Sequence, residues 1–179
     1  MLVIAGIAPL LPTSTSMKPT LNIRGIKLST ELILVRVPPN GNSSPAEIIR
    51  RLAAERINLS CVVLDRVEDH SSGAFCVEVE DLPHMLKVLA DLSDLLQINR
   101  SVGTLTLFPH GGRLDLLAII LRAVGGCNIP LLAVASSMST LTVALPYQRL
   151  DEAVEEICRF VRLPANHAPF RPQFRVRQV

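Results

Sequence analysis

The stretch Arg56-Ile57-Asn58-Leu59-Ser60 follows an amphipathic helical pattern and opens an apolar run, and Gly126-Cys127-Asn128-Ile129-Pro130 does the same 70 residues later. Before each helical pattern lies an apolar run that ends in proline, at Leu32–Pro38 and at Leu105–Pro109. Each stretch is followed by strand-like runs and a second amphipathic helix. A repeat of about 70 residues is one small domain, not one turn of a solenoid. The sequence therefore predicts two copies of a βαββαβ unit.

The first unit is predicted from apolar runs of strand length and from helical spacing of apolar residues. Ser44 has the character of a helix N-cap, and Pro45 suits the first helical position. The final strand of this unit is polar, so we expect it at a sheet edge. The predicted order is strand Glu31–Val37, a helix from Pro45, strands Leu59–Val67 and Ala74–Val79, helix Leu82–Leu92 and strand Gln97–Val102.

The second unit repeats this order. Its first helix is apolar almost all round, which predicts that a neighbouring unit or a second chain covers more than one of its sides. The predicted order is strand Thr104–Phe108, helix Leu114–Val124, strands Ile129–Ala135 and Thr140–Leu145, helix Leu150–Val161 and a closing strand within Phe170–Val179.

The predicted fold class is α+β, with two ferredoxin-like units whose helices lie on one face of antiparallel sheets. We divide the chain into an N-terminal extension (1–20), a first domain (21–101) and a second domain with a basic tail (102–179). Strands can be exchanged between the two domains. Pairing two such sheets edge to edge would hide their open edges.

Composition excludes several function classes. The chain is 49% apolar and 19% charged, which excludes a disordered chain and favours self-association, so we expect a homodimer. Aromatic residues are 3%, which argues against stacking on single-stranded nucleic acid. The four cysteines form no Cys-x-x-Cys pair and the four histidines are scattered, so we expect free thiols, no metal site and no cofactor.

Location and charge were considered together. The apolar start, Met1–Pro12, is too short to span a bilayer and lacks a basic leader, so we expect a cytoplasmic protein that does not bind a membrane. Arginines but no acids follow Glu156, and a nucleic-acid-binding tail is one reading of that pattern. A solvated helix end followed by a basic tail is the reading we favour. The arginines are Arg159, Arg162, Arg171, Arg175 and Arg177.

With these elements placed, the sequence resembles a known family. Ile23-Arg24-Gly25-Ile26, Val37-Pro38 and the stretch Ala46–Asn58 are similar to the first ACT domain of an aspartate kinase regulatory region. Gly103–Arg162 resembles the second, including Arg149-Leu150-Asp151-Glu152-Ala153-Val154 as the closing helix. The resemblance covers about residues 21–163 and contains no kinase domain. It implies tandem ACT domains without their catalyst.

The loops before the two first helices are candidate ligand sites, because the first turn of a helix leaves backbone N–H groups free for an anion. The carboxylate of an amino acid would lie on those amides, and its ammonium would need an acid or carbonyls. The resemblance implies a ligand between two units at these loops. The candidate residues are Asn40, Gly41, Asn42, Ser43, Ser44, Asn58, Leu59, Gly111, Gly112, Asp115, Asn128, Ile129, Ser136 and Ser137.

Each candidate also has an ordinary structural interpretation. The Asn, Gly and Ser residues are common turn formers. Asn58 and Asn128 can cap helices in the left-handed conformation. Asp115 can simply complement the helix dipole. The family pattern places Pro-Gly where Ser44-Pro45 and Arg113-Leu114 stand.

No catalytic site is expected. Asp69, His70, Ser71 and Ser72 are adjacent in a predicted turn, where they cannot form a nucleophile–base–orienter relay. The sequence also contains no P-loop. We therefore expect a non-catalytic regulatory protein that binds a small amino acid or related metabolite and acts on a separate enzyme, such as an aspartate kinase. The alternative is a dimerisation scaffold that binds no ligand.

Overall fold

A computed structural model describes residues 21–39, 44–67, 70–108 and 113–171 of the 179-residue chain. Within these ranges lie nine strands and four α-helices. The strands are β1 (Leu21–Asn22), β2 (Gly25–Leu28), β3 (Leu32–Val37), β4 (Cys61–Val67), β5 (His70–Glu78), β6 (Gln97–Phe108), β7 (Ala133–Ser136), β8 (Leu141–Pro146) and β9 (Val161–Arg162). The helices are α1 (Pro45–Ala54), α2 (Leu82–Val88), α3 (Leu114–Gly126) and α4 (Leu150–Cys158).

Seven strands form one antiparallel sheet in the order β4-β5-β3-β6-β8-β7, with β2 also paired to β6. Val102 of β6 lies opposite Leu32 of β3 on one side and Pro146 of β8 on the other. Strand β2 continues the line of β3 along the same edge of β6. Strand β1 pairs with β9 in a separate parallel ladder.

The predicted α+β class is confirmed. Helices α1 and α2 cover one part of the sheet, and α3 and α4 cover the other, so that each half has its own aliphatic core. Strands β1 and β2 belong by their pairing to the second half, although they precede the first half in sequence. The division of the chain at residues 101 and 102 stays a prediction.

Strand β6 differs from its prediction. Gln97–Val102 and Thr104–Phe108 were expected as separate strands, the former at an edge, yet they form one interior strand. The strand is irregular at Ser101, whose φ is 54° and where the register against β3 shifts. Such a β-bulge bends a strand without ending it. The Ser101 hydroxyl donates a hydrogen bond to the Glu31 carboxylate, which holds the bulge in place.

The bend encloses a third apolar cluster between the two halves. Strands β4 and β7 contact each other although they occupy opposite ends of the sheet. The Arg36 guanidinium crosses between the halves, donating to the carbonyl of Leu132 at 2.7 Å and to Oδ1 of Asn99 at 3.2 Å. The buried members of the cluster are Leu32, Leu34, Cys61, Cys76, Val102 and Ala144.

The cysteines agree with a role as small buried side chains. Cys61 and Cys76 lie opposite each other on β4 and β5 and are buried. Burial and a hydrogen bond with Cys61 raise the pKa of the Cys76 thiol. Cys127 and Cys158 are partly buried, and all four thiols are free.

Several boundaries also differ. The helix predicted over Leu82–Leu92 ends at Val88, and a 3₁₀ segment, Ala90–Leu95, follows. The strand predicted from Ile129 begins at Ala133, after Pro130. The helix predicted to Val161 ends at Cys158, since Val161 pairs in β9. Of the predicted closing strand, residues 172–179 lie outside the described ranges, while the carbonyl of Phe170 accepts a hydrogen bond from the amide of Leu28.

In this single chain α3 is covered on one side only. Leu116, Ile120, Ala123 and Val124 are buried, but the side chains of Leu114 and Leu121 are 78% and 46% exposed. No helix in the described part of the chain combines the length and apolar character needed to cross a bilayer.

We expect Gly103→Ala to destabilise the protein by about 1–3 kcal/mol, because an added methyl would overpack the core. The new Cβ would lie 2.5 Å from Cδ1 of the fully buried Leu150 and 3.0 Å from Cδ2 of Tyr147. Gly125→Ala is the matched control: nothing lies within 4 Å of its Cβ position, and alanine favours the helix. Urea denaturation measures both. Equal effects of the two substitutions would contradict this packing at Gly103.

Candidate functional site

A cavity of about 220 Å³ opens beside the start of α1, and we call it the α1 cavity. Three structural elements contribute to it: the first turn of α1 and the facing ends of β4 and β5. Its lining residues are Ser44, Pro45, Ala46, Leu64, Asp65, Arg66, Ser71 and Ser72. Of the candidate residues predicted from the sequence, Ser44 lies in this cavity.

Local chemistry explains the start of α1. Ser44 is extended, with φ −81° and ψ 126°, and Pro45 follows at the first helical position. The Ser44 carbonyl accepts hydrogen bonds from the amides of Glu47 (3.0 Å) and Ile48 (3.2 Å), while its side chain makes no capping bond. The first helical turn leaves amides without intrahelical partners, so this end of the cavity is favourable to an anionic group.

The cavity also has an acid on its other wall. Asp65 is exposed on β4, next to Arg66. Glu47, one turn into α1, is instead held by the guanidinium groups of Arg50 and Arg51 at 2.8 and 3.1 Å. The hydrogen bonds from Arg50 and Arg51 lower the pKa of Glu47 to about 2. Asp65 is therefore the carboxylate in position to meet a cationic group in the cavity.

A second cavity, of about 340 Å³, adjoins the first on the helix-free face of the sheet. Asp65 and Ser72, opposite each other on β4 and β5, line both cavities. Arg36 and Gln97 add polar groups to the second cavity, and Pro38 and Pro39 close one side. A single cross-strand pair thus separates the two spaces.

The corresponding helix start in the second half is arranged differently. Arg113 occupies the N-cap position of α3, and its guanidinium lies 2.8 Å from the Asp115 carboxylate. Asp115 also accepts a hydrogen bond from the amide of Leu116 at 2.9 Å. The hydrogen bond from Arg113 lowers the pKa of Asp115. Asp115 is therefore already paired, in the role of a first-turn acid.

The two helix ends are equivalent at a spacing of 72 residues, not 70. The amide of Ile57 donates to the carbonyl of Leu52, and that of Ile129 donates to Val124. Asn128 has φ 52°, which confirms the left-handed cap predicted for it. The prediction for Asn58 is wrong, since its neighbour Arg56 carries the left-handed φ of 56°.

Ser136 and Ser137 lie at the exposed turn between β7 and β8. The Ser137 hydroxyl accepts hydrogen bonds from the amides of Ser139 (3.2 Å) and Thr140 (3.0 Å). The amide of Ser137 donates to the Thr140 carbonyl at 2.8 Å. These bonds are those of a self-contained polar turn.

The predicted candidates do not form one site within the chain. Ser44 precedes α1, whereas Asn58 and Leu59 follow it, at a separation of about 15 Å for ten helical residues. Asn128 and Ile129 likewise follow α3, at the end opposite Asp115. Asn40, Gly41, Asn42, Ser43, Gly111 and Gly112 lie outside the described residues.

Asp65 is the site residue that the sequence interpretation missed. It interrupts the otherwise apolar run Cys61-Val62-Val63-Leu64, two residues before the end of β4. An isolated acid inside a strand-like run was the signal available. The register that places it opposite Ser72 and beside α1 became visible only in the structure.

Comparison with solved structures identifies the fold. The regulatory subunit of aspartate kinase from Thermus thermophilus in its ligand-free form matches with a TM-score of 0.65, over 75% of this chain and 96% of that one. This chain has the fold of an aspartate kinase regulatory region. The corresponding subunit from Thermus flavus has a TM-score of 0.64, with coverage of 75% and 95%. Both are 14% identical to this chain in sequence.

The similarity extends to a larger enzyme. Aspartate kinase from Synechocystis matches with a TM-score of 0.63 and 18% identity, over 85% of this chain but only 28% of that chain. No protein-family model and no curated protein sequence matches the chain. The tandem ACT-type fold predicted from the sequence is thus confirmed by three-dimensional similarity.

We expect an NMR titration to give Glu47 a pKa of about 2, below its ordinary value of 4.5, because Arg50 and Arg51 stabilise its ionised form. Since the folded pKa is the lower one, the associated stability is present above pH 4.5 and is lost as the pH falls towards 2. Replacing both arginines with glutamine should return the Glu47 pKa towards its ordinary value. Arg113→Gln should raise the pKa of Asp115 and leave Glu47 unchanged; a Glu47 titration insensitive to Arg50 and Arg51 would refute the pairing.

Proposed function

We propose that this protein is a non-catalytic regulatory protein that binds a small amino acid or a related metabolite at the interface between ACT-type units. The observation that supports this most directly is the pairing of opposite chemistries in the α1 cavity. The free amides of a helix start line one wall and the Asp65 carboxylate lies on another. These are the two groups that a zwitterion requires.

In this proposal the ligand carboxylate lies on the first turn of α1, near Ser44 and Ala46. Its ammonium group is bound by Asp65, with the Ser71 and Ser72 hydroxyls available to either end. The volume of about 220 Å³ is below the range of drug-sized pockets, which suits a small metabolite.

A second chain would complete the interface. Strand β4 is the outer strand of the first half, and its Leu64 side chain is 56% exposed beside the cavity. Leu114 and Leu121 form an apolar strip on α3. Burying such edges and faces in a homodimer would remove apolar surface from water.

Regulation would follow if the ligand binds one arrangement of the units more tightly than another. The fold similarity to aspartate kinase regulatory subunits makes a separate enzyme of an amino-acid pathway, such as an aspartate kinase, the proposed partner. The proposed units are a first one built on β3, β4, β5 and the start of β6, and a second one that includes β2 and the rest of β6.

The alternative is a dimerisation scaffold without a ligand. The Arg113–Asp115 pair supports it for the second half, because the acid at that helix start is already neutralised within the chain. The first half retains the unpaired arrangement around Asp65, so the two functions make different predictions there.

We expect calorimetric titration with the twenty amino acids to reveal at least one ligand, and Asp65→Asn to weaken it by about tenfold or more, since an ammonium–carboxylate contact is lost. Asp115→Asn is the matched control and should bind as the unmodified chain does. Heat from none of the twenty, together with an unchanged oligomeric state, would favour the scaffold. Equal loss in both variants would contradict the placement of the site at Asp65.

A further inference from the structure

A third cavity, of about 400 Å³, lies on the open face of the second half, away from α3 and α4. We call it the β2 cradle. It is lined by Arg24, Lys27, Thr106, Phe108, Ser139 and Thr140. None of these was a candidate residue from the sequence, and none lines the α1 cavity.

Strand alternation aims these side chains at the same face. Ile26 and Leu28 of β2 and Leu105 and Leu107 of β6 are buried in the core of the second half. Lys27 and Thr106, which alternate with them, are register partners on the opposite face. Exposure of the two cations is therefore a consequence of the same alternation that fills the core.

The Phe108 ring is fixed over the sheet. Gly25 lies opposite Phe108, and a Cβ at Gly25 would come within 2.6 Å of the ring. The ring thus occupies the space that any other residue at position 25 would fill. The Arg24 amide donates to the Phe108 carbonyl at 2.8 Å, and Nζ of Lys27 lies 5.9 Å from the ring centroid.

The cradle is cationic and contains no acid. Six other arginines in the described residues form ion pairs with carboxylates, whereas neither Arg24 nor Lys27 forms one there. Hydroxyl groups complete the surface: Oγ1 of Thr106 lies 2.9 Å from Oγ1 of Thr142, and Oγ1 of Thr140 lies 3.0 Å from Oγ of Ser137. The paired arginines are Arg50, Arg51, Arg113, Arg149, Arg159 and Arg171.

We propose that the β2 cradle binds a small organic dianion, a dicarboxylate or a phosphate ester, that carries no ammonium group. Arg24 and Lys27 bind the negative charges, the hydroxyls of Thr106 and Thr140 hydrogen-bond the remaining oxygens, and the carbon skeleton contacts the Phe108 ring. The absence of a carboxylate from the lining discriminates against amino acids. This site is separate from the α1 cavity and does not depend on the function proposed for it.

The test is an NMR titration of the full chain with succinate and with glycerol 3-phosphate, following the amides of Thr106 and Thr140. We expect saturable shifts at these amides with one or both anions, and none with the neutral succinamide. Arg24→Gln combined with Lys27→Gln should weaken binding by about tenfold or more. The exchange Arg24→Lys with Lys27→Arg keeps both charges and should retain most of the affinity.

Lys87→Gln combined with Arg100→Gln is the control, because it removes two charges at exposed positions that do not line the cradle. It should leave binding unchanged, and an equal loss in this variant would reduce the effect to non-specific attraction and overturn the proposal. Absence of saturable shifts with both anions would overturn it as well. Tighter binding of aspartate than of succinate at the same amides would overturn the stated ligand class. None of these outcomes bears on amino-acid binding at Asp65.

Discussion

The structure depends on one continuous strand. Strand β6 is shared by both halves: its first part pairs with β3, and its second part pairs with β8 and β2. The bulge at Ser101 bends the strand where one half ends and the other begins. Because each half would lose an inner strand without β6, the two cores are coupled in stability even though their side chains form separate clusters.

The regular elements could be predicted from sequence because their signals are local. Alternating or continuous apolar runs marked β3, β4 and β8, and helical spacing with Ser44-Pro45 marked the start of α1. The role of β6 could not be predicted in this way. Its polar first part resembles an edge strand, and Gly103 resembles a break, but Gly103 is required by the close approach of Leu150. That contact joins residues 47 positions apart and has no local signature.

The candidate site was predictable to a similar degree. The helix start at Ser44 follows from capping chemistry, and it lies in the α1 cavity. Asp65 comes to the same place through the register of β4 against β5, which the sequence does not specify. The repeat itself also misled the comparison of the halves, because the helix ends match at 72 residues and the positive φ falls on Arg56 instead of Asn58.

The shared wall between two cavities has a consequence for energetics. Asp65 and Ser72 face both the α1 cavity and the neighbouring space beside Arg36. A cation that neutralises Asp65 from one side removes a negative charge from the other, so the affinities of the two spaces cannot be independent. Thermodynamic reciprocity then requires that whatever occupies either space change the affinity of its neighbour by the same factor in both directions. A single carboxylate on β4 would in this way connect the outer edge of the first half to the seam where Arg36 joins the two halves.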